Sequence, residues 1–168
     1  MAKKEDAAEA AARDAGTDDA GGAGFVLWQL GNLWQRRMRR ALSDAALTHV
    51  QFILLAGLAQ LERRSDGPVT QSDLAAFCRS DAMMTSQVLR TLEAAGLVTR
   101  VPHPHDTRAK CPALTRAGHA ALARAAPAVA EADRAFFALA GRKGERLVRN
   151  LRKLRRRVED DDAGAASN

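Results

Sequence analysis

Tyrosine is absent from the 168 residues, and aromatic side chains of every kind make up only 4% of them. A surface of the single-strand-binding kind, which stacks successive bases on aromatic rings, is therefore poorly supplied. Cysteine occurs twice, at Cys78 and Cys111, too few for a disulfide framework or a Cys-rich zinc site. No apolar run approaches the roughly 18 residues that a membrane-spanning helix needs. The opening MAKKEDAAEAAARD has basic residues with no apolar stretch after them and does not read as a secretory signal. No paired carboxylates, nucleophile–base pair, glycine-rich phosphate loop or metal-ligand set stands at a usable spacing, which argues against an enzyme and against a cofactor. What is left is a cytosolic chain whose length suits one domain with an added dimerisation element.

Charge is abundant and unevenly spread. Lys and Arg number 26 against 20 Asp and Glu, a net of +6. Residues 1–23 set Lys3, Lys4 and Arg13 against Glu5, Asp6, Glu9, Asp14, Asp18 and Asp19, a net of −3. Residues 159–168 hold Glu159 and Asp160 to Asp162, a net of −4, which leaves +13 on the body between. Such a field favours a polyanion through phosphate neutralisation and counterion release. Both acidic ends, 1–23 and 159–168, read as disordered tails.

Between the tails the pattern is mostly helical. From Phe25 to Leu42, the apolar residues Leu27, Leu30, Trp34, Met38 and Ala41 recur every three or four positions, one stripe of an amphipathic helix. Thr48 suits the N-cap of a second helix, HVQFILLAGLAQLERR, apolar on nearly every face and so central. Ser65-Asp66-Gly67-Pro68 ends it with turn chemistry. TQSDLAAFC follows, with Thr70 as N-cap and Asp73 three residues on, a capping box with Asp in the usual Glu position. Beyond Arg79, Ser80 can cap the helix SDAMMTSQVLRTLEAAG, and Gly96 can close it in the left-handed conformation. Thr85, Val88, Leu89 and Leu92 share one face of this helix, and Met83, Ser86, Gln87 and Arg90 the other. LVTRV and AKCPAL read as short strands around the loop VPHPHDTR. Pro112 makes the second of them an edge strand or one broken at that point. Thr115 then starts an Ala-rich helix that reaches Pro127 or beyond. A final helix from Arg142 to Val158 aligns Leu147, Leu151, Leu154 and Val158 at coiled-coil spacing.

Two short helices across a tight turn, followed by strand–loop–strand, give a mainly α fold with a small β wing, the order of a winged helix-turn-helix. In such a unit the second helix enters the major groove. Gln can pair with adenine and Arg with guanine, so Met83, Ser86, Gln87 and Arg90 form a candidate recognition surface for double-stranded DNA.

At these residues the chain resembles the MarR family of bacterial transcription regulators, over about residues 25–158. The resemblance is carried by Thr48 to Leu55, by Thr70-Gln71-Ser72-Asp73-Leu74-Ala75 and by Met84 to Glu93 with Gly96-Leu97-Val98-Thr99-Arg100. Above all it is carried by the wing, Asp106-Thr107-Arg108-Ala109-Lys110 followed by Leu114-Thr115-Arg116-Ala117-Gly118. It implies that residues 46–115 bind DNA and that 24–45 and 116–158 form helical dimerisation arms of a homodimer. Arg108 then becomes the minor-groove residue of the wing. Asp106 can pre-aim its guanidinium by charge-assisted hydrogen bonds, which lowers the entropy lost on docking. Lys110 and Arg100 become phosphate contacts, together with Thr70 and Gln71.

The resemblance also implies a pseudo-palindromic operator, most often repressed, and release by a small aromatic or phenolic acid. Trp28, Trp34, His49 and Phe52 lie on helices that line the family's effector crevice, although a plain dimer core explains the same aromatics. Cys111, as a strand residue beside the wing, is the candidate for a thiol redox switch, while Cys78 reads as a small buried hydrophobe. His103, His105, Asp106 and Cys111 have ligating chemistry, but a wing offers no cavity and no metal is expected there. A basic chromosome-associated protein without sequence preference is the alternative, since it accounts for the charge but not for the Asp106–Arg108 pair.

Overall fold

Side-chain caps set most of the α-helix starts in the computed structural model, which describes residues 22–104 and 109–165. Asp106 and Arg108 of the wing lie outside the described residues, as do residues 1–21 and 166–168. Helix α1 spans Ala23–Ala41, and a 3-10 turn at Ser43–Ala45 leads from it. Helix α2 spans His49–Glu62. Its cap is a reciprocal capping box: the Gln51 N–H donates to Thr48 Oγ1 at 3.2 Å, and the Thr48 N–H donates to Gln51 Oε1 at 2.8 Å. Helix α3, Gln71–Cys78, opens on the expected Thr70–Asp73 box. Helix α4 covers Ala82–Ala94 and Gly96 follows it with φ +70°, where the absence of a Cβ removes the steric cost. Strands β1, Val98–Pro102, and β2, Lys110–Leu114, pair antiparallel, and helices α5, Arg116–Ala138, and α6, Gly144–Ala165, complete the chain.

The chain divides inside α1 into two units, one up to Arg36 and one from Arg37 onward. In the first, Phe25 and Trp28 stack with ring centroids 6.0 Å apart. In the second, the core gathers Leu54, Leu55 and Leu58 of α2, Leu74 of α3, Leu89 and Leu92 of α4, Val98 of β1 and Ala121 and Ala125 of α5. The apolar run of α2 is buried because its neighbours surround it. Removing any of these Leu side chains to Ala should cost about 2–5 kcal/mol through lost burial and the cavity left behind. No helix among the described residues is long and apolar enough to cross a membrane.

Four local expectations need correction. Helix α4 is capped by Asp81, whose Oδ1 accepts the Met84 N–H at 2.8 Å. Ser80 is occupied in the corner, its Oγ 2.7 Å from Thr85 Oγ1. Helix α2 stops at Glu62, because the Arg64 and Ser65 N–H groups both turn back to the Leu61 carbonyl. Helix α6 runs past Val158 to Ala165, through acidic residues expected to be a tail. Glu159 in that stretch is held by Arg155 at 3.6 Å and by Arg79. Cys111, the strand residue beside the wing read as a candidate redox thiol, is buried at 4% exposure.

Pro112 does not break β2: it faces Arg100 in a continuous ladder from Val98↔Leu114 to Pro102↔Lys110. The reason is parity. The N–H of Leu114 points away from β1 and donates to Glu62 Oε1 at 2.8 Å. Position 112, two residues earlier, has its nitrogen on that same outer edge, so no ladder bond is lost. Pro127 likewise leaves α5 intact as far as Ala138.

Candidate nucleic-acid interface

Alternation of burial along α4 sets up the candidate recognition surface. Thr85, Leu89 and Leu92 are buried. Thr85 keeps its hydroxyl satisfied by donating to the Asp81 carbonyl at 2.8 Å, as a buried polar group requires. With that face fixed, Met83 is 82% exposed, Gln87 and Arg90 are exposed, and Ser86 is half-buried. The four residues expected at base edges therefore share the outward side of one rigid helix. Their supports are the Asp81 cap, the Ser80–Thr85 hydroxyl pair and the core leucines.

The wing base is equally constrained. The His103 N–H donates to the Ala109 carbonyl at 3.1 Å, which closes the loop between β1 and β2. Lys110 is exposed at the start of β2. At the other end of β2, the motif Leu114-Thr115-Arg116-Ala117-Gly118 acquires a physical meaning. Thr115 Oγ1 accepts the Gly118 N–H at 3.0 Å and donates to the Gly96 carbonyl at 2.7 Å. A Cβ on Gly118 would stand 2.1 Å from the Leu97 carbonyl oxygen, so only glycine lets α5 start this close to the β1 entry.

Arg100, expected as a phosphate contact, is paired within the protein. Its Nε donates to Glu93 Oε2 of α4 at 2.8 Å, and its side chain is only 17% exposed. Neither the spacing nor the motif points to this pair, which ties β1 to α4. Thr70 is also engaged: its Oγ1 donates to Asp73 Oδ2 at 2.6 Å and accepts the Asp73 N–H at 3.1 Å. The hydrogen bonds from Thr70 hold the Asp73 carboxyl below its ordinary range, with a further contribution from nearby His103. Gln71 is half-buried at the start of α3.

The aromatic residues of the expected effector crevice fall in both units. Trp28, 65% exposed, and half-buried Trp34 belong to the first. His49 and the core residue Phe52 lie one turn apart on α2 in the second. Burial and then the Arg39 guanidinium lower the pKa of His49. A cavity of about 610 Å³ opens between α5 and α6, lined by Phe137, Val148, Arg134, Arg149 and Arg152 among others, and none of the four expected residues lines it. Burial raises the pKa of the Cys78 thiol, and the thiolate is the reactive form.

A sequence model of the MarR family matches residues 47–110. The uncharacterized HTH-type transcriptional regulator YdcH of Bacillus subtilis (strain 168) is 40% identical over 131 residues, which cover 78% of this chain and 88% of that protein. The HTH-type transcriptional repressor Rv2887 of Mycobacterium tuberculosis is 31% identical over 140 residues, 83% of this chain and 97% of that one. Among solved structures, the transcriptional repressor CouR bound to a 23-mer DNA duplex has a TM-score of 0.68 at 24% identity, over 79% of this chain and 90% of that one. CouR from Rhodococcus jostii RHA1 bound to p-coumaroyl-CoA gives 0.65 at 23% identity, over 80% and 89%. The structural likeness extends over the winged-helix fold.

Proposed function

The chain belongs to the MarR family of transcriptional regulators, and from that premise we propose that it represses transcription by binding a pseudo-palindromic duplex operator as a homodimer. The observation that carries the reading is the outward face of α4. Met83, Ser86, Gln87 and Arg90 stand together on a helix whose opposite face is locked into the core. Gln87 and Arg90 supply the bidentate groups for adenine and guanine, and Met83 an apolar contact for a thymine methyl. Arg108, aimed by Asp106, enters the adjacent minor groove, where the negative potential is strongest in narrow stretches. Lys110, Thr70 and Gln71 contact phosphate and set register without reading sequence. The Glu93 pair makes Arg100 a strut between wing and recognition helix, and its remaining donors face phosphate.

Dimerisation joins the arms 24–45 and 116–158. Leu147, Leu151, Leu154 and Val158 form an apolar seam that the single chain leaves exposed, at the spacing that packs against a second helix. Two-fold symmetry then places two recognition helices about 34–36 Å apart, one turn of duplex. Relief of repression follows when a small aromatic acid favours a dimer whose spacing no longer fits the operator, which requires unequal affinity of that ligand for the two shapes. The CouR neighbour bound to p-coumaroyl-CoA, an aromatic acyl group carried as its CoA thioester, supports a ligand-responsive dimer, although its ligand is far larger than a free aromatic acid.

Selection of duplexes from a random pool by the purified chain tests the proposal. Recovery of a pseudo-palindrome whose binding is weakened by Arg108→Ala, with the dimer intact by light scattering, is expected. Recovery of unrelated sequences with equal affinity would contradict it and favour a non-specific basic protein.

A further inference from the structure

We propose that Arg79 is a phosphate contact of the DNA complex that the acidic end of α6 occupies in the free protein, so that Glu159 and DNA compete for one guanidinium. The inference rests on duplex DNA being the partner.

Arg79 forms the corner between α3 and α4, two residues before the cap of the recognition helix. Its backbone sits at φ 51° and ψ 45°, the left-handed conformation that glycine adopts with least strain. The corner is closed by the Arg79 N–H donating to the Ala76 carbonyl at 3.2 Å and the Ser80 N–H donating to the Ala75 carbonyl at 3.0 Å. These bonds are made by backbone alone, so a glycine would make the same turn. An arginine here accepts backbone strain for the sake of its side chain, and such strain gathers at functional positions.

That side chain is 65% exposed and reaches across 80 residues of sequence to Glu159. Arg79 Nε lies 3.2 Å and Nη2 3.1 Å from Glu159 Oε1. Glu159 is the first of four consecutive carboxylates, Glu159 to Asp162, near the C-terminal end of α6. Carboxylates are disfavoured toward that end of a helix, where the dipole is negative, and the last turn of α6 holds no basic residue. Arg155 of the same helix lies 3.6 Å from Glu159, and Arg79, closer at 3.1 Å, adds a cation from outside it. Carboxylate and phosphate oxygens accept the same charge-assisted bonds from a guanidinium. An exposed ion pair is weak enough to exchange one for the other. A duplex lying along α4 brings its backbone to this corner, where it meets the carboxylates as well as the guanidinium they hold. The acidic end thus lowers DNA affinity until phosphate takes Arg79.

The test uses the full chain and the duplex it enriches from a random pool, with Glu159→Gln, Arg79→Ala, the double variant and Asp161→Asn as a charge-matched control. Anisotropy titrations are run across salt concentration, and circular dichroism follows folding. Glu159→Gln should tighten binding about 3- to 5-fold at moderate salt, the scale of an exposed ion pair, and by more than Asp161→Asn does. Arg79→Ala should lower the slope of log affinity against log salt by about one. In the Arg79→Ala background the Glu159→Gln gain should shrink to that of the control. Equal effects of Glu159→Gln and Asp161→Asn, an unchanged slope in Arg79→Ala, or lost thermal stability without altered affinity would overturn the proposal alone. Failure of the wild-type chain to retain any duplex would overturn the DNA-binding reading and this proposal with it.

Discussion

Replacing Gly118 with Ala should destabilise the protein far more than one methyl group suggests. The new Cβ would stand 2.1 Å from the Leu97 carbonyl oxygen and 3.1 Å from Leu114 Cδ2. The first contact is with backbone, which cannot rotate away, so the start of α5 must retreat by about an ångström to restore van der Waals separation. That retreat stretches the bonds from the Thr115 N–H to the Leu97 carbonyl, 3.1 Å, and from Thr115 Oγ1 to the Gly96 carbonyl, 2.7 Å. Overpacking costs about 1–3 kcal/mol, and each weakened hydrogen bond up to about 1 kcal/mol. Alanine's better helix propensity returns at most about 1 kcal/mol, which leaves a net loss of about 2 kcal/mol at the middle of these ranges. For a chain of this size that lowers the melting temperature by about 4–8 °C. Urea unfolding followed by circular dichroism at 222 nm, at fixed protein concentration because the proposed dimerisation would link stability to mass action, measures the loss directly. A change below about 1 kcal/mol, or a gain, would refute the account of how α5 seats on the wing.

Three further outcomes are expected. Glu93→Ala leaves the mostly buried Arg100 guanidinium without its carboxylate and should cost about 1–2 kcal/mol; Glu131→Ala, which breaks a fully surface-exposed pair with Arg134, should cost a few tenths at most. Similar losses in the two variants would contradict that contrast. His49 has its pKa lowered by burial and then by Arg39, so the folded state holds it neutral. Its stabilising effect is full above the ordinary 6.5 and is lost as pH falls through the lower folded value. Wild-type melting temperature should therefore fall on acidification below about pH 6.5 more steeply than that of His49→Gln, and parallel curves would refute the assignment. Arg90→Ala should weaken binding to the selected duplex by about 1–3 kcal/mol and relax preference at one base position, with the melting temperature unchanged; a uniform loss across all sequences would make Arg90 a phosphate contact instead.

Local chemistry made much of the fold legible before any coordinates. Thr48, Thr70 and Thr115 cap their helices as read, because each is a hydroxyl placed before an apolar period, and such a cap is decided within four residues. Gly96 closes α4 for the same reason. The inward and outward faces of α4 followed from its 3.6-residue period. Features decided at long range stayed hidden. Arg100 and Glu93 are seven residues apart across a turn, and Arg79 and Glu159 are eighty apart, so no spacing rule joins them. The extension of α6 to Ala165 rests partly on that second pair, which explains why a run of four carboxylates read as a tail. Cys111 was misjudged for a different reason, and of the two outcomes read for Pro112 the edge strand is the one that holds. Burial of the first comes from the side of the strand that faces the core, and tolerance of the second from which edge its nitrogen occupies. A ladder register decides both. The outward face of α4 was legible because the helical period separates it from the buried one; the aromatics marked no site, since on amphipathic helices they serve a core equally well.

The most direct measurement is the relative affinity of the purified protein for two duplexes of identical length and composition, the selected operator and its shuffled sequence, at one stated salt concentration. Specific recognition through α4 and the wing predicts a preference of at least about 10³-fold for the operator. Equal affinity for the two, falling with the same steep dependence on salt, would contradict it.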